Sequence, residues 1–139
     1  MRTFCETLEF ETKGELDMLD ITERVQGVVS SSGLKEGLAN VFVIGSTAAV
    51  TTIEYEPGLK KDFPAMLERI APKEIYYHHH ETWHDYNGHS HVRASLIGPS
   101  LTVPFKDGRL ILGTWQQIVF IELDVRPRHR RVHVQLLGV

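Results

Sequence analysis

A β-rich α+β domain, built as an antiparallel sandwich or open barrel with two or three helices, is the fold class this sequence predicts. Three observations carry that reading. From residue 100 onward the apolar residues fall in short alternating or continuous runs rich in Val, Ile, Leu and Phe, as strands require. The segment from Pro57 to Ile70 instead repeats its apolar residues at helical spacing. Helical and strand patterns never alternate regularly, which argues against repeated β-α-β units and a parallel sheet. With 139 residues, the chain is read as one domain over 1–139.

About seven strands follow from the pattern. Thr3–Thr12 alternates loosely and is rich in Thr, Phe and Leu, and a second short strand falls around Leu16–Leu19 after a turn at Gly14. Asp20 or Thr22 caps a helix over Ile21–Ser31, with Ile21, Val25, Val28 and Val29 on one face and Gly33 as its stop. Ala39–Ile44 and Ala49–Tyr55 are strands joined by Gly45-Ser46-Thr47. Pro57 opens the most secure helix and Pro72 closes it. Val92–Ile97 reads as a short helix. Leu101–Phe105 and Leu110–Leu112 flank an Asp107-Gly108 hairpin turn. Trp115–Asp124 and Arg131–Leu137 complete the set.

Charge and composition exclude some functions. Hydrophobic residues make up 42% and charged residues 24%, ordinary for a globular domain and unlike a disordered or coiled-coil chain. No apolar run reaches the ~18 residues of a membrane helix. The start, Met1-Arg2-Thr3-Phe4, meets Cys5 and Glu6 at once, so no apolar leader core is expected. Cys5 is the single cysteine and forms no internal disulfide, so a reducing cytoplasmic location is expected. A net charge of −3 speaks against a nucleic-acid binder. That charge is uneven, at −5 over residues 1–70 and +2 over residues 71–139.

Six of the eight histidines lie between His78 and His91. Neutral imidazole is the commonest protein ligand for zinc, and a catalytic metal needs about three ligands with an open position. His89 and His91 share a face if they sit on a strand, but diverge by about 200° on a helix. Asn87-Gly88 looks like a turn, so the pair is expected at a loop-to-element junction. Solvation of each histidine in a polar loop is the plainer alternative.

The run Arg126-Pro127-Arg128-His129-Arg130-Arg131 reads either as a solvated turn or as an anion clamp, since guanidinium forks match phosphate oxygens bidentately. Without interleaved aromatics, a small phosphorylated ligand suits it better than nucleic acid. Trp115 is read as core or as a stacking surface, with Gln116 beside it. Glu54, Glu122 and Asp124 are carboxylates on otherwise apolar strands, and belong to a solvent face or to a site.

The stretch Asn87-Gly88-His89-Ser90-His91-Val92-Arg93-Ala94-Ser95-Leu96-Ile97-Gly98-Pro99-Ser100, followed by Gly108-Arg109-Leu110-Ile111-Leu112-Gly113-Thr114-Trp115-Gln116, resembles the YjbQ-like family. Ser46-Thr47-Ala48-Ala49, Glu54 and Arg126-Pro127-Arg128-His129-Arg130 match it too. The resemblance covers essentially the whole chain. It implies a compact β-rich fold, a homotrimer and a secondary thiamine-phosphate synthase activity. In that reaction a thiazole phosphate displaces pyrophosphate from a hydroxymethylpyrimidine diphosphate. The family's Tyr-x-His motif falls on Tyr77-His78-His79, which makes His79 the motif histidine, and His91 matches a second.

The expected site therefore has Glu54 and Glu122 as catalytic carboxylates and His79, His89 and His91 around a divalent ion, zinc or magnesium. Thr47, Trp115, Gln116, Arg126, Arg128 and Arg130 are expected to bind the substrate and its phosphates. A trimeric metal- or anion-binding module without turnover is the alternative.

Overall fold

The structure is a computed structural model describing residues 1–139. Its elements are β1 (Arg2–Glu11), β2 (Met18–Asp20), α1 (Thr22–Ser32), β3 (Glu36–Val43), β4 (Ala48–Ile53), α2 (Leu59–Ile70), α3 (His79–Trp83), α4 (Gly88–Ile97), β5 (Ser100–Lys106), β6 (Arg109–Leu110), β7 (Gln117–Glu122) and β8 (His129–Gly138). They form two antiparallel sheets, a five-stranded one ordered β1-β8-β3-β5-β6 and a three-stranded one ordered β2-β7-β4. The α+β architecture is the one the pattern predicts.

Side-chain alternation sets the layers. On β8, Arg130, Val132, Val134 and Leu136 point inward and are buried. They meet Ile118 and Phe120 of β7, together with Val25, Val28 and Val29 of α1, in the larger core. The other face of β7 carries Val119 and Ile121, which join Leu67 of α2 and Ala94 of α4 in a second core. β7 is thus covered on both faces, which explains its nearly continuous apolar run. Burying one such Val, Leu, Ile or Phe contributes about 1.5–3 kcal/mol.

Local chemistry fixes most element ends. Asp20 Oδ1 accepts from the Thr22 backbone N–H at 3.0 Å, and Gly33 stops α1 in the left-handed region at φ 72°. The Asp107-Gly108 turn has φ of 53° and 73°, as a two-residue hairpin demands. At α2 the carboxylate of Glu56 accepts from the Gly58 and Leu59 N–H groups, so the helix begins two residues after Pro57.

The main departure lies in α3 and α4. A five-residue helix occupies the histidine segment, and α4 begins at Gly88, four residues before the predicted start. A Cβ on Gly88 would lie 2.5 Å from Tyr77 Cβ. The missing side chain is what lets α4 start against Tyr77. His89 and His91 therefore lie in the first turn of a helix, at the expected loop-to-element junction but not on a strand.

Candidate functional site

Two polar clusters meet at one end of the sandwich, where β7 and β8 run out of apolar inward residues. The first is closed. Glu122 and Arg130 continue the inward registers of β7 and β8, and both are buried. Glu122 Oε1 accepts from Arg130 Nε at 2.8 Å and from Thr12 Oγ1 at 2.8 Å. Its Oε2 accepts from Arg130 Nη2 and from the Asp124 backbone N–H at 3.0 Å. Four donors occupy the carboxylate. Arg130 Nη2 also donates to Thr47 Oγ1 at 2.8 Å.

Thr47 links this pair to the second cluster by donating to Asp124 Oδ2 at 3.1 Å. Asp124 Oδ1 accepts from Asn87 Nδ2 at 3.2 Å and from the Val125 N–H at 2.8 Å. Arg128 Nη1 stands 3.2 Å from Asp124 Oδ2, with Arg128 one-third exposed. Burial pushes the Asp124 carboxyl up, but its hydrogen bonds and the Arg128 charge outweigh that and hold it below the usual range. Asp124 is an anchored anion.

The open side of this cluster carries two imidazoles. The rings of His79 and His91 are 4.4 Å apart at 55°. Burial draws the His91 imidazole below its ordinary value, and the neighbouring His79 draws it further, against Asp85 and Asp124. Asp85 Oδ1 stands 3.5 Å from His79 Nε2, yet that nitrogen is buried and makes no hydrogen bond. A neutral ring beside one with an unused nitrogen can accept or deliver a proton.

His89 does not join them. The helical turn sends it to the opposite side, where its Nε2 lies 3.3 Å from Glu15 Oε2. Arg93, one helical turn on, is also buried and donates to Glu68 Oε2 at 2.7 Å and to the Ala71 carbonyl at 2.9 Å. These contacts lock α4 onto the end of α2 and the turn before β2. Burial lowers the His89 pKa, with Glu15 opposing. The expected three-histidine set is corrected accordingly, because His89 and His91 diverge on a helix. No group of three His, Cys, Asp or Glu side chains converges within one chain, so the chain by itself does not form the expected three-histidine set.

Other expected residues are also redistributed. Arg130 Nε and Nη2 and the Thr47 hydroxyl donate inside the closed cluster, which leaves Nη1 as the guanidinium nitrogen not engaged there, and both oxygens of Glu122 are taken up by donors. The alternation of Arg130 with Val132, Val134 and Leu136 was the signal for that burial. Arg126 and Arg131 are exposed and Arg128 partly so, which leaves three outward cations in the run, of which Arg128 is the one held by Asp124. Glu54, Trp115 and Gln116 sit at the far end of β7, where Ile53 pairs with Gln117. The six residues of β7 separate the two ends by about 20 Å. Trp115 is 72% exposed, against the core reading. Gln116 is used locally, accepting from Gly113 N–H and donating to Thr52. From the sequence Asn87 reads only as part of a turn, whereas its side chain donates to Asp124 Oδ1. Asp124 itself reads as open between a solvent face and a site, and its burial decides against the solvent face.

The chain is thus a small α+β protein with an imidazole pair set beside an anchored carboxylate and an arginine. It belongs to the YjbQ family, whose UPF0047 YjbQ-like profile matches residues 6–139. It is 42% identical over 138 residues to a UPF0047 protein of Methanothermobacter thermautotrophicus, covering 99% of this chain and 94% of that one. The UPF0047 protein YugU of Bacillus subtilis is 36% identical over 135 residues, covering 95% and 98%. Among solved structures, a YbjQ-like protein of unknown function from Sulfolobus solfataricus superposes with a TM-score of 0.88 at 30% identity, covering 99% and 100%. A hypothetical protein from Aeropyrum pernix gives 0.85 at 37%, covering 96% and 99%. None of the structural elements crosses a membrane as a helix, since no helix is long and apolar enough.

Proposed function

We propose that this chain is an enzyme acting on a small phosphorylated substrate, with His79 and His91 moving protons and Arg128 and Arg126 holding phosphate oxygens. The observation that carries this reading is the imidazole pair, 4.4 Å between centroids with the His79 Nε2 unpartnered, beside the anchored Asp124. Asp124 and Asn87 are positioning residues. Asp124 fixes one arm of the Arg128 guanidinium, and the exposed remainder faces outward. The reaction implied by the resemblance suits this set. A C–O bond to the diphosphate breaks as a C–N bond to the thiazole forms, and pyrophosphate leaves. An imidazole N–H donates to the leaving oxygen while guanidinium offsets its charge. A divalent ion, zinc or magnesium, would assist by offsetting the charge of the leaving phosphates.

We propose further that the chain works as a homotrimer. Leu38, Phe42 and Leu137 share the outer face of the five-stranded sheet, and each is more than 40% exposed. Such a cross-strand apolar face supports burial against a second copy. Light scattering should give about three times the monomer mass, and a monomer would contradict assembly.

The test of activity is pyrophosphate release from hydroxymethylpyrimidine diphosphate and thiazole phosphate. Wild type should turn over and His91→Ala should not. Pyrophosphate binding without turnover would replace the enzyme with an anion-binding module.

A further inference from the structure

The segment between α2 and α4 builds a second concavity, distinct from the His79–His91 face. Its volume is about 320 Å³, room for a one- or two-ring molecule. Tyr76, Tyr77, His80 and Tyr86 wall it, with Lys73 on its lining. The chain itself separates the two faces. His79 turns toward Asp85 and His91, whereas His80 turns toward Tyr86, with centroids 3.9 Å apart at 32°.

This arrangement is held at some conformational cost. His84 and Tyr86 both lie in the left-handed region, at φ 55° and 56°, which non-glycine residues keep only where their surroundings impose it. Gly88 supplies the opposite wall by admitting Tyr77 at a distance no Cβ would tolerate. One of its walls also carries an unpartnered polar atom. His80 Nδ1 is buried without a hydrogen-bond partner, a state that buried ring nitrogens rarely keep. Tyr76 and Tyr86 are 61% and 70% exposed, leaving aromatic surface open around it.

We propose that this pocket takes the planar aromatic ring of the substrate, stacked on the tyrosine and histidine rings. Aromatic walls favour a flat π-face over a saturated ring. This rests on the function proposed above for the phosphate end, but ring capture is measurable by itself.

The experiment is ligand-observed NMR with 4-aminopyrimidine, set beside calorimetric titration of pyrophosphate. Wild type should bind 4-aminopyrimidine at millimolar concentration and ignore cyclohexanol. Tyr86→Ala and His80→Ala should each weaken ring binding about tenfold, the loss of one stacking surface. Both should leave pyrophosphate affinity within about twofold, and Arg128→Gln should do the reverse. Circular dichroism checks folding, and Tyr86→Leu or His80→Gln replaces an alanine variant that fails it. No 4-aminopyrimidine binding, equal binding of cyclohexanol, or variants indistinguishable from wild type would overturn the pocket. Ring binding that responds to these variants, with no pyrophosphate bound, would keep the pocket and remove the phosphate reading.

Discussion

The Glu122–Arg130 pair and the His79–His91 pair lie at the same end of the sandwich, joined through Thr47 and Asp124, yet they are finished differently. At Glu122 both oxygens are occupied by four donor atoms from three residues of the fold. At His79 a buried nitrogen is left without a partner. Burial of charge costs several kcal/mol unless it is fully paired, so the closed cluster is what a fold needs to end its core safely. An incompletely satisfied imidazole beside an anchored anion does nothing for stability. In the function proposed above, it is where a substrate proton is moved. Polar residues deep in a core therefore divide by satisfaction rather than by type.

Cutting the closed cluster should have the largest effect. Arg130→Met or Glu122→Leu alone leaves a buried charge without its partner, and should cost about 3–5 kcal/mol in urea unfolding. The double variant should recover much of that loss, because two apolar side chains replace two paired charges. A double variant as unstable as the worse single would show that the pair is not acting as a unit.

At the open cluster the loss should appear in binding instead. Arg128→Gln should weaken pyrophosphate by about 1.5–3 kcal/mol, roughly ten- to hundredfold. Stability should change by less than ~1 kcal/mol, since Asp124 keeps three other hydrogen bonds. Lysine at 128 should restore only part of the affinity, because it lacks the bidentate fork. Equal affinities for Arg, Lys and Gln by calorimetry would remove the clamp.

Titration separates the buried histidines from the surface one. His89 and His91 are held below the ordinary value of 6.5, by burial above all. As pH falls the unfolded chain takes up these protons first. Their contribution is full above pH 6.5 and is lost as pH falls through the lower folded values. His129 runs the other way, raised by hydrogen bonds from its ring to Glu9 and Glu11. Its contribution is present below 6.5 and is lost as pH rises through the higher folded value. Unfolding midpoints measured across this range should therefore flatten on the acid side in His91→Asn and on the alkaline side in His129→Asn. The same slope in both variants would break the distinction.

The smallest effect is expected farthest from both clusters. Trp115→Ala should alter stability by less than about 0.5 kcal/mol, as for other exposed positions, because the indole is 72% exposed. A loss of several kcal/mol in thermal unfolding would place Trp115 in a contact beyond this single chain, and the assembly measurement would then decide which copy it meets.

The alternation on β8, the apolar run of β7, the Asp107-Gly108 turn and the Pro57–Ile70 helix were all legible in the sequence, since each depends on residues near one another along the chain. The histidine segment was legible as a place, and His79 and His91 as members of it. The start of α4 was not. It depends on Tyr77 meeting Gly88, a contact that carries no local periodicity. That early start sends His89 to Glu15 and His91 to His79, and so dissolves the expected ligand set. The arginine run divided for a similar reason. Arg130 follows the inward register of a strand and finds Glu122 eight residues away, while Arg128 lies outside the strand and keeps part of its guanidinium in water. Sequence determined which residues are available and the period of each element. Tertiary structure decided which of them face one another and which of those are left with a free valence, because both depend on where separate elements pack.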